Sequence, residues 1–193
     1  MVTELPQADP PPPPDSLLVE IATYALTYDA ASESAREHEF HHLLDAVARA
    51  LQALRVPACT RLLGPIVPGA TMARGARVPG TSYELDPVKA AFDIGTLMRW
   101  PDGQDAPPAV MPAHPADNLG ALLGLTDYLS RRALAQAESP PTVRELLCAV
   151  IKANEIQGAL ALAAGDALDG AQLDRSVLVR IASAAVATTL IGG

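Results

Sequence analysis

The stretch DPVKAAFDIGTLMRW, residues 86–100, opens with a strong helix-start signal and gives the first element of the predicted fold. Asp86 precedes Pro87, and proline is favoured at the first helical position because its missing N–H is not needed there. We therefore predict a helix that runs to Trp100. Residues 101–115 contain five prolines, so we expect this segment to be a loop.

Helices are also predicted on both sides of this stretch. Asp15 or Ser16 caps a first helix that runs to about Tyr28, and Ser32 begins a second helix that continues to about Leu54. Beyond the loop, the spacing of apolar residues predicts three more helices. These three helices lie at about 116–137, 142–164 and 172–190.

The segment 56–85, between the second helix and Asp86, is punctuated by Pro and Gly. Such spacing predicts extended segments and turns, with one short helix near Cys59 and a short hairpin near 70–85. We find no internal repeat. The chain is therefore predicted to be all-α, a multi-helix bundle.

Residues 1–14 end in five consecutive prolines, Pro10 to Pro14. A run of this kind predicts a disordered or polyproline tail. We accordingly expect a proline-rich tail at 1–15 and one helical domain at 16–193, which at this length can bury a sizeable core.

The composition restricts the class of function. Fourteen basic against 22 acidic residues give a net charge of −8, which argues against binding to a nucleic-acid backbone. No apolar run is long enough to span a bilayer and the N-terminus lacks a signal-peptide pattern, so we expect a cytoplasmic protein without a membrane partner. Cys59 and Cys148 are too few for a disulfide framework and are interpreted as buried thiols.

The stretch HEFHH, residues 38–42, fits the H-E-x-x-H pattern of a zinc protease helix. A catalytic zinc needs a third protein ligand, and the residues that follow offer no Gly turn with another His. On a projection at ~100° per residue, His38 and His42 lie opposite an apolar stripe. The stripe consists of Phe40, Leu44, Val47, Leu51 and Leu54. We interpret the motif as a solvated helix face and predict no metal site.

Four longer stretches carry a family resemblance. They are PACTRLLGPIVPGATMARGARVPGTSYELDPVKAAFDIGTLMRW (57–100), HPADNLGALLGLTDYLSRRA (114–133), IKANEIQGALAL (151–162) and LVRIASAAVATTL (178–190). From about residue 17 onward, the order of these segments resembles that of the MmgE/PrpD family. The likeness covers most of the chain beyond the proline tail and involves long runs of structural residues.

This resemblance implies a cofactor-free hydro-lyase that removes water from 2-methylcitrate to give 2-methyl-cis-aconitate, in propionate breakdown by the methylcitrate cycle. It also implies a homodimer and a large helical domain, with the sequence ending before a smaller α+β lid domain. The cysteine count agrees with the metal-free expectation, because an aconitase-type cluster is held by several Cys thiolates and this chain has two cysteines.

The resemblance also implies the site residues. The turn DGQDA and the following His-Pro pair place Asp102, Asp105 and His114 at pocket positions. Asp102 would orient or polarise the substrate, Asp105 would bind it, and His114 would transfer a proton or bind a carboxylate. Asn154 and Arg175 stand at two further pocket positions and are assigned to binding of the tricarboxylate substrate.

Three positions depart from the family pattern. Ala106 stands where the family has Thr, and Asn154 and Arg175 stand where it has His. Asn cannot titrate, and Arg cannot exchange a proton near neutral pH. Two hypotheses therefore stay open, a tricarboxylate hydro-lyase and a truncated, inactive helical remnant that only binds or dimerises. Asp102 and Asp105 also fit ordinary turn chemistry, because Asp side chains cap local backbone N–H groups.

Overall fold

A computed structural model of the chain describes residues 13–28, 32–101 and 116–193. Within these ranges the chain forms seven helices and one two-stranded hairpin, so the all-α prediction is confirmed. In chain order the elements are α1 (Ser16–Thr27), α2 (Glu33–Ala53), α3 (Pro57–Thr60), β1 (Ala76–Arg77), β2 (Glu84–Leu85), α4 (Pro87–Arg99), α5 (Asp117–Ala135), α6 (Val143–Gly170) and α7 (Ser176–Leu190).

Three predicted helix starts are confirmed by side-chain caps. Asp15, Ser32 and Asp86 each accept a hydrogen bond from a backbone N–H in the first turn of α1, α2 and α4, at 2.8, 3.1 and 3.0 Å. A cap of this kind typically contributes about 0.5–2 kcal/mol, because it satisfies a donor that the helix itself leaves unpaired. The rest of the predicted tail, residues 1–12, lies outside the described residues.

The core lies around α5, which packs against α4, α6 and α7. Its largest fully buried side chains include Ile94 and Leu97 from α4, Leu119 and Leu122 from α5, and Val150 from α6. The paired residues are three positions apart, which is the spacing that turns one stripe of a helix toward its neighbours. Aliphatic side chains fill this core, in keeping with the low aromatic content of the sequence.

The helices α4 and α5 approach each other closely because glycines lie at their contact. A Cβ atom added to Gly120 would lie 2.8 Å from the carbonyl oxygen of Ala91 and 2.9 Å from the Cα atom of Gly95. A Cβ atom added to Gly124 would lie 3.2 Å from the backbone nitrogen of Ala91. The close approach of the two helices therefore depends on the missing side chains.

We expect Gly120→Ala to lower the free energy of unfolding by about 1–3 kcal/mol, because overpacking forces the two backbones apart. Gly158→Ala in α6 is the matched control, since nothing lies within 4 Å of the added Cβ atom. Alanine favours the helix, so the control should gain about 0.5–1 kcal/mol. Urea denaturation followed by circular dichroism measures both changes, and equal stability of Gly120→Ala and the parent chain would contradict the close packing.

The segment that follows α3 is held onto α4 by a buried ion pair. Asp93 is fully buried, pairs with Lys89 and accepts a hydrogen bond from the backbone N–H of Gly64 at 2.8 Å. The ammonium group of Lys89 also donates to the carbonyl oxygen of Leu62 at 3.1 Å. Cys59 is buried as predicted, and burial, together with the charge of Asp93, raises the pKa of its thiol. Cys148, also predicted to be buried, is half-buried.

The predicted hairpin is present but short. The strands β1 and β2 pair antiparallel, with Arg77 opposite Glu84. Both residues form ion pairs with α5, Arg77 with Asp127 at 2.6 Å and Glu84 with Arg131 at 2.6 Å. Ion pairs near the surface contribute only about 0–1 kcal/mol each, so their main effect is to orient the hairpin on α5.

The apolar stripe predicted for α2 is rotated away from the core, so that Val47 and Leu54 are half-buried and pack against the core while its other three members are exposed. Phe40, Leu44 and Leu51 are 41%, 50% and 46% exposed. The buried face instead consists of Glu39, Leu43, Ala46, Ala50 and Ala53. Small alanine side chains let α2 approach its neighbours closely, which leaves the larger apolar residues at the periphery. His38 and His42 are exposed, as predicted.

The expectation that no apolar run is long enough to span a bilayer is wrong for helix α6. Its segment Val143–Ala163 has 21 residues and a mean hydropathy of 1.4, which suffices by length and composition. However, 56% of this apolar window is buried inside the protein, and α6 packs against α2, α5 and α7. A central core helix must be apolar on several faces, so we interpret the segment as a core helix.

Candidate functional site

Three of the five predicted site residues, Asp102, Asp105 and His114, lie outside the described residues. The structure does describe the points where the chain enters and leaves the predicted loop. Arg99 at the end of α4 and Asp117 at the start of α5 form an ion pair with an N–O distance of 3.6 Å. The two ends of the predicted loop therefore lie next to each other.

A buried polar network begins at Asn118, in the first turn of α5. Asn118 is fully buried, and its amide nitrogen donates to Oδ1 of Asn154 at 3.0 Å and to Oε1 of Gln157 at 2.5 Å. Its own Oδ1 accepts a hydrogen bond from the hydroxyl of Ser183 at 2.7 Å. Asn118 thus uses both of its amide hydrogens and connects α5 to α6 and α7.

The network reaches α2 through Asn154. The amide nitrogen of Asn154 donates to Oε2 of Glu39 at 3.3 Å, and Glu39 is only 6% exposed. Burial raises the pKa of the Glu39 carboxyl, while His42, the hydrogen bond from Asn154 and His38 act in the opposite direction. Burial is the largest of these effects, so this carboxyl takes up a proton more readily than an exposed Glu.

The chemistry of this network is mainly that of hydrogen bonding. The amides of Asn118, Asn154 and Gln157 donate and accept hydrogen bonds but do not titrate near neutral pH. The hydroxyl of Ser183 does not titrate either in this range. Glu39 is the titratable member, so a proton transfer within the network would have to use its carboxyl.

Arg175 precedes the first turn of α7 and is half-buried. Ser183 follows it by eight positions (183 − 175) on the same helix. At 1.5 Å per residue, the two residues are separated by about 12 Å along the helix axis. The structure therefore places Arg175 at the N-terminal end of α7 and Ser183 in the middle of the helix. Substrate binding by Arg175 stays a prediction.

The sequence did not indicate four members of the network, namely Glu39, Asn118, Gln157 and Ser183. One usable signal was present, because Asn154 and Gln157 are three positions apart and share a helix face. Glu39 was hidden by the wrong phase assigned to α2, which placed it beside the predicted apolar stripe. Only the packing of α2 against α6 brings its carboxyl to Asn154.

The metal-binding side chains of the described residues do not form a metal centre. Within 13–28, 32–101 and 116–193, no group of three or more His, Cys, Asp or Glu side chains is placed to hold a metal ion. The rings of His38 and His42 lie 4.4 Å apart between centroids, on the exposed face of α2. This exposure agrees with the interpretation of His38 and His42 as part of a solvated helix face, whereas Glu39 of the same motif is buried.

Comparison with known proteins identifies the family of this fold. The family model described as the MmgE/PrpD N-terminal domain matches residues 19–193. The chain belongs to the MmgE/PrpD family. The resemblance carried by the four long stretches is thereby confirmed, and in this MmgE/PrpD chain the buried network lies within the matched domain.

Individual MmgE/PrpD relatives are similar over nearly the whole chain. A 2-methylcitrate dehydratase of Cupriavidus necator is 44% identical over 192 residues, covering 100% of the chain and 39% of that protein. One of Salmonella typhimurium is 45% identical over 178 residues, covering 92% and 36%. A mitochondrial one of Yarrowia lipolytica is 40% identical over 182 residues, covering 94% and 35%. The chain thus spans less than two fifths of the length of these relatives.

Proposed function

We propose that this chain forms the helical part of a hydro-lyase site that removes water from 2-methylcitrate to give 2-methyl-cis-aconitate. The observation that carries the proposal is the identity of 44% and 45%, over 100% and 92% of the chain, with two proteins named 2-methylcitrate dehydratase. The same likeness supports a place in propionate breakdown by the methylcitrate cycle.

The reaction defines the roles that the site must fill. Elimination of water beside a carboxylate needs a base for the C–H proton and an acid for the hydroxyl, each typically contributing ~10²–10⁴-fold. We assign proton transfer to His114, because His titrates near neutral pH, and substrate orientation to Asp102. Asp105, Asn154 and Arg175 are assigned to binding, since the substrate's carboxylates need hydrogen-bond donors or cations and its hydroxyl needs an acceptor.

We also propose that the reaction uses no cofactor and that the protein is a cytoplasmic homodimer. Exposed apolar side chains on α1 and α2 support the dimer, among them Leu17, Leu18, Phe40 and Leu44. Burying such a side chain fully contributes about 1.5–3 kcal/mol. Light scattering should then give twice the chain mass of 20.1 kDa, and a single 20.1 kDa species would exclude the dimer.

A second candidate function is a non-catalytic helical module that binds a tricarboxylate or dimerises without turnover. Asn154 favours this alternative, because its amide can bind a substrate oxygen but cannot take up or release a proton near neutral pH. The two candidates differ in one observable, the formation of the unsaturated product.

Incubation of the purified chain with 2-methylcitrate tests the proposal. A hydro-lyase forms a carbon–carbon double bond conjugated with a carboxylate, which is followed by ultraviolet absorbance. We expect turnover in the parent chain and its loss in His114→Ala, the proposed proton-transfer variant. His41→Ala is the matched control, because His41 is an exposed histidine of α2 and its removal should leave the rate unchanged.

The outcomes separate the two candidates. If no product forms while 2-methylcitrate still raises the melting temperature, the binding module is supported. Turnover that persists in His114→Ala would remove His114 from the mechanism. The absence of both turnover and a thermal shift would contradict the proposed function, and stoichiometric zinc or iron in an active sample would contradict cofactor-free chemistry.

A further inference from the structure

The hydrogen bonds of Asn154 leave one donor free for a ligand. Its Oδ1 accepts from Asn118, and its amide nitrogen donates one of two hydrogens to Glu39. Within the described part of the chain, the Asn154 side chain makes no other hydrogen bond. Asn154 is half-buried, so part of the residue remains accessible to solvent.

The orientation of this amide is set by its partners and not by its shape. The oxygen and the NH₂ group of Asn are nearly equal in size, so either orientation fits the same space. A carboxylate accepts hydrogen bonds, so Glu39 attracts the amide nitrogen and repels the amide oxygen. Asn118 donates from the other side and fixes the oxygen there.

We propose that Glu39 is a positioning residue for Asn154, holding its amide so that one N–H is presented to a carboxylate or hydroxyl oxygen of the ligand. The identity of that ligand, 2-methylcitrate, rests on the proposed function. Glu39 itself stays behind Asn154 and acts through it. The carboxyl of Glu39 thus orients the amide of Asn154, which cannot itself titrate.

The rest of the network agrees with this role. With the nitrogen of Asn154 facing Glu39, both hydrogens of Asn118 meet acceptor oxygens, on Asn154 and on Gln157. The oxygen of Asn118 then meets the donor hydroxyl of Ser183. If Asn154 were reversed, its NH₂ group would face the NH₂ group of Asn118, and its oxygen would face the carboxylate. Glu39, on α2, therefore determines which group donates and which group accepts in each hydrogen bond of the network.

Side-chain amide resonances test the proposal without a ligand. The Asn154 pair is assigned in a ¹H–¹⁵N spectrum by its absence from Asn154→Ala. Glu39→Leu removes the acceptor, so the Asn154 pair is expected to move, whereas Glu39→Gln keeps an acceptor oxygen at the same reach and should restore it. Glu37→Leu, at an exposed glutamate of the same helix, is the matched control and should leave the pair in place.

Titration with 2-methylcitrate tests the functional consequence. Loss of an oriented donor to a carboxylate should raise Kd by about tenfold in Glu39→Leu and leave Glu39→Gln within about twofold of the parent chain. If Glu39→Leu fails to fold, Glu39→Asp replaces it, because a side chain shorter by one methylene withdraws the acceptor. The same tenfold loss is then expected.

Each result bears on one proposal only. If the parent chain does not bind 2-methylcitrate, the proposed function fails, and the ligand-free spectra still decide the role of Glu39. Unmoved Asn154 resonances in Glu39→Leu would overturn the positioning role. Equal Kd values in all variants, or a Glu39→Gln chain as weak as Glu39→Leu, would overturn it as well, while binding by the parent chain would leave the proposed function standing.

Discussion

Replacing Lys89 by Met is expected to lower the free energy of unfolding by about 3–5 kcal/mol. The side chains of Lys89 and Asp93 are 12% and 0% exposed, so the variant leaves a buried carboxylate without its counter-charge. Asp93 would keep the hydrogen bond from Gly64, which does not neutralise it. Small domains are stable by only about 5–15 kcal/mol, so urea denaturation should show a clearly earlier transition.

The matched control replaces both members of the ion pair, as Lys89→Met with Asp93→Leu. This double variant has no buried charge, so it should recover much of the stability lost by the single variant. Its remaining loss should come mainly from the unpaired N–H of Gly64, about 1–3 kcal/mol for a buried group. A loss below about 1 kcal/mol in Lys89→Met would contradict burial and indicate a solvated surface pair.

The elements that the sequence predicted correctly are those with local signals. Asp15, Ser32 and Asp86 carry short polar side chains directly before apolar helical spacing, and each caps its helix. Such caps depend on contacts within three residues, so no tertiary information is needed. The end of α6 shows the limit, because the helix continues to Gly170 where the sequence predicted about 164.

The buried face of α2 could not be predicted from hydrophobicity. The stripe of Phe40, Leu44 and Leu51 is the more apolar one, yet a face of alanines is buried. Which stripe turns inward depends on how closely the neighbouring helices approach, and small residues allow the closer contact. Hydrophobic periodicity gives the presence of an amphipathic helix more reliably than its rotation when two faces compete.

The candidate site shows the same division between what the sequence predicts and what only tertiary packing determines. Asn154 was selected from the resemblance, and the structure places it in a buried network as a half-buried member. Glu39 and Ser183 come from helices far apart in sequence, and their meeting with α5 and α6 is a tertiary event that no local pattern reports. Asp102, Asp105 and His114 lie outside the described residues, so their roles stay predictions.

Asn118→Leu is expected to lower the free energy of unfolding by about 3 kcal/mol or more. Leucine is similar in size but neither donates nor accepts, so the oxygens of Asn154 and Gln157 and the hydroxyl of Ser183 all lose their partner. A buried polar group left unpaired costs about 1–3 kcal/mol, and three groups are affected together, of which Gln157 is buried and Asn154 and Ser183 are half-buried. Urea denaturation measures the loss.

Ser183→Ala is the control for this prediction. It removes the hydrogen bond from Ser183 to Asn118 and leaves the bonds from Asn118 to Asn154 and Gln157. A single hydrogen bond contributes about 0.5–1.5 kcal/mol, so this variant should lose far less stability than Asn118→Leu. Equal losses of unfolding free energy in the two variants would mean that water takes over the hydrogen bonds of Asn118. Asn118 would then not hold α5, α6 and α7 together. A larger loss in Asn118→Leu, with the Asn154 amide resonances displaced, would show that the residue which stabilises the bundle also orients the predicted binding position.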